Sequence, residues 1–238
     1  MYNNRYEKED LDEALRVLRA GGVILYPTDT VWGIGCDATN AEAVKRVYEI
    51  KRRAEQKSML VLMEGAGKLQ GYVREVPEVA WQLLEVTGEE GQKPLTIVYP
   101  DAKNLAQNLV AEDGSIGIRI TNEPFTKALC TGLKHPLVST SANISGEPAA
   151  KTYRQISKDV LEAVDYVCRY RRDDEEEKLL STEVLVEGDP YCYHKFDWDY
   201  RRYSSEISCE HNWSYEHKCK NCDRKIKVEY EPACHLYD

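Results

Sequence analysis

The sequence predicts an α/β (α+β) fold, with an open, twisted, mixed sheet, flanking helices and a short Cys/His-rich C-terminal tail. Apolar strand-like runs alternate with segments of helical periodicity over roughly 190 residues, which is typical of a sheet covered by helices. Four of the eight cysteines fall in the last thirty residues, so the tail differs in composition from the rest. We therefore predict an α/β domain over 1–190, a connector over 191–207 and the tail over 208–238.

The predicted helices and strands follow in a regular order. The first helix covers 9–20, where leucines recur on one helical face and two glycines follow. Asn40 or Thr39 can cap the next helix with its side-chain oxygen. Strands are predicted at 23–26, 60–63, 95–99, 115–120, 136–140 and 183–186, a loop at 28–39, and the later helices at 41–51, 77–86, 124–132 and 152–168.

Charge and hydrophobicity exclude several classes of protein. The 238 residues include 42% hydrophobic and 31% charged residues, which is ordinary for a folded domain and unlike a disordered chain. The net charge of −9 argues against a protein that coats nucleic acid. No apolar run reaches the roughly 20 residues of a membrane-spanning helix, and the first residues do not resemble a signal peptide. These features predict a cytoplasmic protein without a membrane partner, and a solvated loop over the charged run 171–178.

Polar residues follow the first predicted strand in the segment 26–35. Two threonines and an aspartate stand there before Gly33 and Gly35, an arrangement that suits close approach of the backbone to a small ligand. A turn capped by Asp29 and Thr30 is the alternative interpretation.

A cluster of cations ends the helix predicted at 41–51. Lys51, Arg52, Arg53 and Lys57 fall within seven residues, and in an acidic domain such a cluster indicates an anionic ligand. The cations can instead complement the negative end of the helix dipole.

Hydroxyl groups and a carboxamide stand at the end of the strand predicted at 136–140 and just after it. Ser139, Ser141 and Asn143 can grip phosphate oxygens without adding net charge. A structural turn stabilised by the same hydroxyls is the alternative, and the chain lacks a GxSxG elbow that would indicate a serine hydrolase.

Together these segments resemble one known family. The blocks YPTDTVWGIGCDATNAEAVKRVYEIKRR, PLTIV, SIGIR and VSTSANISGEP, in this order over roughly 8–187, closely resemble the YrdC-like threonylcarbamoyl-AMP synthases. The resemblance implies an open twisted α/β sheet with a basic concave cavity. It also implies synthesis of L-threonylcarbamoyladenylate and pyrophosphate from L-threonine, bicarbonate and ATP. The product would pass to downstream tRNA threonylcarbamoyl-transfer enzymes, which make threonylcarbamoyladenosine in tRNA.

The resemblance also implies roles for individual residues. It places Lys51, Arg53, Ser141 and Asn143 in catalysis. It assigns ATP binding, with Mg²⁺ bridging the phosphates, to Arg53, Lys57, Ser115, Ser141, Asn143 and Ala149. It assigns L-threonine binding to Thr30, Arg119, Ser139 and Ser181. The family usually has glycines before the late Ser-Thr motif, where this chain has the acidic run 173–177.

The tail carries the spacing of a zinc knuckle. Cys219 and Cys222 can present two thiolates on one side of a tight turn, and Cys209 and His211 can complete a tetrahedral Zn²⁺ site. His217, Cys234 and His235 are competing ligands, and free thiols without a metal are the alternative.

Two other functions fit the same residues. A carbamoyl-handling paralogue of the same fold is one, but some such paralogues lose the Lys-x-Arg pair and the Asn of Ser-x-Asn, and both motifs are present here. A module that binds double-stranded RNA or tRNA is the other, and the charge of −9 weakens it. The synthase is therefore the leading hypothesis.

Overall fold

The computed structural model describes residues 6–53, 59–87 and 94–174, together with the backbone of three later strands. The α-helices are α1 (Lys8–Arg19), α2 (Ala41–Lys51), α3 (Glu78–Thr87), α4 (Pro124–Leu133) and α5 (Lys158–Ala163), with short 3₁₀ helices at Ala66–Gly71 and Tyr153–Gln155. The strands are β1 (Ile24–Tyr26), β2 (Gly33–Gly35), β3 (Leu60–Met63), β4 (Leu95–Tyr99), β5 (Ile116–Ile120), β6 (Leu137–Ser141), β7 (Tyr166–Val167), β8 (Thr182–Leu185), β9 (Trp213–Lys218) and β10 (Lys225–Tyr230).

The strands form a mixed sheet in the order β7-β1-β2-β6-β3-β5-β4-β8-β10-β9. Strands β1, β2, β6 and β3 run antiparallel to their neighbours in that series, while β3 with β5 and β4 with β8 are parallel. The predicted fold class, an open mixed sheet with flanking helices, is confirmed. Among the described residues, none of the helices combines the length and the hydrophobicity that a membrane span requires.

Helices cover the two faces of the sheet with separate hydrophobic clusters. Strand β3 shows the alternation, since Val61 and Met63 belong to one cluster and Leu62 belongs to the other. The cluster of Leu62 contains apolar residues of α1 and α4, and the opposite cluster contains those of α2 and α3. The central strands are therefore buried on both sides, and their ends are left to carry polar residues.

The prediction of a single helix over 152–168 is wrong. The structure divides this segment into Tyr153–Gln155, α5 and the edge strand β7. Val164 is extended after α5, and Tyr166 and Val167 pair in parallel with Ile24 and Leu25 of β1. Pairing with an open sheet edge thus overrides local helical preference, because it satisfies backbone groups that a helix there would leave unpaired on β1.

The polar loop predicted at 28–39 is interrupted by strand β2, which needs glycine at position 35. A Cβ on Gly35 would lie 2.2 Å from the carbonyl oxygen of Val138 and 2.7 Å from the ring of the buried Tyr26. The sequence suggested that this glycine admits a ligand, but the groups that approach it belong to the chain itself. It allows β2 to lie against β6.

We expect Gly35→Ala to lower the free energy of unfolding by about 3 kcal/mol, because neither a paired backbone carbonyl nor a fully buried ring can move away cheaply. Urea unfolding measures the change. Gly67→Ala is the matched control, since a Cβ there meets nothing within 4 Å. Equal stability of the two variants would contradict the packing argument.

Candidate active site

Three segments that are distant in sequence meet beside strand β2. Gly33 pairs with Ser141 across β2 and β6, and the amide of Ala142 donates to the carbonyl oxygen of Trp32 at 2.9 Å. The amide of Ser145 donates to the carbonyl oxygen of Lys51 at 2.9 Å. The loop before β2, the end of α2 and the loop after β6 therefore form one continuous surface.

Lys51 holds the loop after β6 with its ammonium group. The residue is only 2% exposed, and Nζ donates to the carbonyl oxygens of Ser141 at 2.6 Å and Asn143 at 2.9 Å. A third contact, to Oδ1 of Asn143, is 3.3 Å long. Burial, and to a smaller extent the positive charge of Arg53, lower the pKa of Lys51 to about 8. All three ammonium donors are thus engaged with the protein itself.

Asn143 completes the internal bonding of this loop. Its Oδ1 accepts from the Ser141 hydroxyl at 2.5 Å, and its Nδ2 donates to the Glu147 carbonyl oxygen at 2.5 Å. The predicted residues Lys51, Ser141 and Asn143 are therefore joined by hydrogen bonds, and we call residues 141–147 the 141–147 loop unit. Such a loop is rigid before any ligand arrives.

Arg53 stands next to this unit, two residues beyond the end of α2. Helix α2 ends because Arg52 adopts a left-handed conformation, with φ of 50°, and Arg53 then donates its amide to Tyr48 at 3.0 Å. Its charge is close enough to lower the pKa of Lys51. Two cations consequently lie at the same end of α2, where they would attract an anion.

A second polar cluster surrounds Arg119 on β5. This guanidinium is 3% exposed, and its contacts with Oδ1 of Asp29 and Oγ1 of Thr30 are both 3.4 Å long. Its Nε donor has no hydrogen-bond partner. A buried guanidinium with long contacts and an unused donor can still bind a carboxylate. A carboxylate can accept two parallel hydrogen bonds from one arginine.

Hydroxyl groups lie around the same cluster. Thr28 and Ser139 flank Gly33. A Cβ built on Gly33 would lie 3.1 Å from the Thr28 methyl carbon and 3.3 Å from the Ser139 hydroxyl oxygen. Ser139 is 5% exposed and Thr30 is 8% exposed. The predicted residues Thr30, Arg119 and Ser139 are therefore brought to one region of the sheet.

A small pocket opens beside this region. Its lining residues are Pro27, Thr28, Thr30, Val31, Trp32, Lys151, Thr152, Arg171 and Asp174. The sequence did not single out Arg171 and Asp174, and it predicted a solvated loop over this charged run. That prediction is wrong for Arg171, whose side chain is 13% exposed and hydrogen-bonds to the carbonyl oxygen of Thr28 at 2.9 Å.

The structure does not bring every predicted residue into the cluster. Ser115 precedes β5, four residues before Arg119 and so roughly 13 Å away along the strand. Its amide donates to Asp113 within a local turn. Ala149 is partly buried in the chain that follows the 141–147 loop unit. The predicted ligand-binding residues Lys57 and Ser181, and the predicted zinc ligands Cys209, His211, Cys219 and Cys222, lie outside the described residues.

Most of the sequence also matches the profile of one protein family. The profile of the Sua5/YciO/YrdC family, described as telomere recombination, matches residues 16–192, which include all three segments of the site. The chain belongs to the Sua5/YciO/YrdC family. Among solved structures the chain is similar to P. abyssi Sua5, solved in complex with L-threonine, with a TM-score of 0.68 and 23% identity over 78% of this chain and 53% of that one. Escherichia coli YciO matches with a TM-score of 0.66 and 23% identity, over 77% of this chain and 86% of that one.

Curated members of the Sua5/YciO/YrdC family are more similar in sequence. A threonylcarbamoyl-AMP synthase from Xanthomonas campestris pv. campestris (strain B100) is 35% identical over 158 residues, which are 66% of this chain and 84% of that protein. A protein of the same name from Pseudomonas aeruginosa is 36% identical over 154 residues, 63% of this chain and 81% of that one. The structural neighbours support the fold, and these relatives carry the name of an enzyme.

Proposed function

We propose that this chain is an L-threonylcarbamoyladenylate synthase, which makes threonylcarbamoyl-AMP and pyrophosphate from L-threonine, bicarbonate and ATP. The observation that carries the proposal is the bonding of Lys51, Ser141 and Asn143 into one unit at the end of β6, with the buried and under-bonded Arg119 two strands away on β5. This arrangement supports a site for an anionic nucleotide next to a site for a carboxylate. The names of the curated relatives support the same reaction.

The amino-acid side of the site follows from the Arg119 cluster. Arg119 would bind the carboxylate of L-threonine through its unused donor, and the hydroxyls of Thr30 and Ser139 would hydrogen-bond to the rest of the molecule. Ser181 completes this proposed set. Held in this way, the amine of threonine attacks bicarbonate, a C–N bond forms, water leaves, and an N-carboxylate results.

The nucleotide side follows from the 141–147 loop unit and the cations beside it. An oxygen of the N-carboxylate attacks the α-phosphorus of ATP, and the bond from that phosphorus to the pyrophosphate breaks. Both reactants are anions, so Arg53 and Lys57 would neutralise the charge that hinders their approach. Ser115, Ser141, Asn143 and Ala149 would orient the phosphates and the nucleoside. Lys51 would hold the loop and not the phosphates, because its donors already bind protein carbonyls.

Mg²⁺ would reach the site as part of the nucleotide complex. Among the described residues there is no group of three or more His, Cys, Asp or Glu side chains that could hold a metal ion. Mg²⁺ usually keeps several waters and binds substrate phosphates with few protein ligands. We therefore assign the ion to the phosphate oxygens of ATP. A separate Zn²⁺ site in the tail, with Cys209, His211, Cys219 and Cys222, remains part of the proposal.

The product determines the partners. Threonylcarbamoyl-AMP is a mixed anhydride that water destroys, so an enzyme that transfers the threonylcarbamoyl group to tRNA must take it over. We propose that this chain makes threonylcarbamoyl-AMP in the cytoplasm. The chain's charge of −9 makes direct, non-specific binding of tRNA weak, so we assign tRNA contact to the transfer enzymes.

Replacement of Arg53 by alanine tests the proposal. We expect adenylate formation from threonine, bicarbonate and ATP to slow by about a hundredfold, because the nucleophile and phosphates lose a neutralising charge. Pyrophosphate release and ATP–pyrophosphate exchange measure the rate, and Arg52→Ala is the control because that side chain is largely exposed and pairs with Asp159. Normal exchange in Arg53→Ala would defeat the assignment. A wild-type chain that shows salt-sensitive RNA affinity without turnover would instead indicate an RNA-binding module.

A further inference from the structure

The segment 171–174 contacts the loop that carries Thr30. Arg171 donates from Nη1 to the carbonyl oxygen of Thr28 at 2.9 Å and from Nε to Oδ2 of Asp174 at 2.5 Å. Arg171 and Asp174 both line the small pocket, together with Thr30 and Trp32, which are distant from them in the sequence. The Arg171 guanidinium therefore joins two separate parts of the pocket wall.

The backbone around Arg171 is held in an uncommon conformation. Arg171 has φ of 62°, in the left-handed region that side chains with a Cβ rarely adopt. The carboxylate of Asp10, which is 1% exposed, accepts the amides of Arg169 and Tyr170 at 2.9 and 2.8 Å. Arg172 donates to the carbonyl oxygen of Cys168 at 2.8 Å. These contacts fix the turn so that the Arg171 side chain reaches Thr28.

A chain of hydrogen bonds continues from Thr28 to Arg119. The Thr28 hydroxyl gives its proton to the carbonyl oxygen of Val31 at 2.7 Å, so it accepts at 3.1 Å from the Thr30 hydroxyl. The Thr30 hydroxyl oxygen can then accept from Arg119 at 3.4 Å. Arg171 thus binds the loop at the Thr28 carbonyl oxygen, and Arg119 contacts it at the Thr30 hydroxyl.

The pocket beside the Thr30 loop is small, with a volume of about 10 Å³, so it can take only the end of a short side chain. Its lining includes the threonines at positions 28, 30 and 152 and the Arg171–Asp174 ion pair, with the Trp32 ring as an apolar surface. The Trp32 ring contacts the Tyr153 ring, with 5.1 Å between the ring centroids. The Arg172 guanidinium lies over the Tyr153 ring, 5.2 Å from its centroid. A short side chain with one hydroxyl and one methyl group matches this mixture of polar and apolar surface.

We propose that Arg171 is a positioning residue of the amino-acid subsite, and that the segment 171–174 forms the wall that selects a small amino acid with a β-hydroxyl group. The inference rests on the proposed function, because it takes the ligand to be L-threonine. Arg171 acts through Thr28 and Thr30 and does not touch the reacting atoms. Asp174 fixes the direction of the Arg171 guanidinium.

Arg171→Gly tests the proposal with little backbone cost, since glycine adopts the left-handed conformation freely. We expect the affinity for L-threonine, measured by calorimetry without ATP, to fall by about tenfold, as for the loss of one charge-assisted hydrogen bond. The KM for ATP should not change. The ratio of kcat/KM for threonine over serine should also fall, because the Thr30 loop becomes less rigid. Lys134→Gly is the matched control, since Lys134 is also left-handed, with φ of 66°, at the C-terminal end of α4.

The outcomes separate this inference from the proposed function. Unchanged threonine affinity and selectivity in Arg171→Gly, with an active wild-type chain, would overturn the inference alone. Weaker threonine binding in the variant of a chain that forms no adenylate would support the inference and overturn the proposed function. Should Arg171→Gly fail to fold, Asp174→Asn provides the same test, because it releases the guanidinium without removing it. Unaltered threonine binding in Asp174→Asn would then contradict the proposal that the segment 171–174 forms a wall of the amino-acid subsite.

Discussion

Lys51→Met is expected to lower kcat/KM for adenylate formation by about a hundredfold while the chain stays folded. The reason is the position of the ammonium, which at 2% exposure donates to the carbonyl oxygens of Ser141 and Asn143. Without it these oxygens repel one another and the 141–147 loop unit loses its shape. Initial rates of pyrophosphate release measure the effect. Lys45→Met, an exposed position on the same helix, is the control and should keep the full rate.

The pH dependence gives a second measurement of the same group. Because the pKa of Lys51 is lowered to about 8, its ammonium loses a proton as the pH rises through that value, and activity should fall. Stability should change in the opposite sense. The unfolded chain binds this proton more tightly than the folded chain, so the contribution of Lys51 to the free energy of unfolding rises between pH 8 and 10.5. A flat rate profile from pH 7 to 9 would contradict a role for the charged form.

Arg119→Met is expected to raise the KM for L-threonine by at least about a hundredfold with little change in the KM for ATP. The guanidinium is 3% exposed, and its Nε donor lacks a partner, so a bound carboxylate would supply the missing acceptor. Methionine keeps part of the apolar stem but removes every donor. Steady-state kinetics with each substrate varied in turn measures the two constants.

Two variants support the interpretation of Arg119→Met. Arg119→Lys keeps the charge and loses the planar fork, so it should recover only part of the affinity for threonine. Arg46→Met removes another guanidinium, which binds Asp165 at 2.7 and 3.0 Å, and should affect stability without changing either KM. A threonine KM that rises equally in Arg46→Met would mean that general loosening of the fold explains the effect.

Local patterns were sufficient for the helices and strands whose periodicity is strong. The helix predicted at 41–51 and the strands predicted at 60–63 and 95–99 agree with α2, β3 and β4 residue for residue. Each has a continuous buried face and a clear start or stop signal, such as the Asn40 side chain that accepts from the amides of Glu42 and Ala43. By contrast, nothing local distinguishes β7 from a helix, since its strand pairing depends on β1, more than 130 residues earlier.

The site shows the same division. Its two clusters were predictable as separate motifs, because hydroxyls, cations and glycines stand at strand or helix ends. That Lys51 binds the 141–147 loop unit was not predictable, because a lysine next to an arginine in sequence suggests a phosphate ligand. Arg171 was missed for a related reason, since a charged run predicts solvent exposure unless distant acceptors such as the Thr28 carbonyl are known.

Residue type and spacing along the chain are enough to predict the fold class, the family and the three segments that meet. The donors that remain available to a ligand cannot be predicted in this way, because they depend on acceptors that folding brings from distant segments. The Nε donor of Arg119 stays unused because the contacts with Asp29 and Thr30 involve the other two guanidinium nitrogens. The donors of Lys51, in contrast, are all taken by oxygens of Ser141 and Asn143, about 90 residues away. The chemistry of a side chain depends on its own residue type, but whether its hydrogen-bond donors find acceptors in the folded interior depends on distant residues.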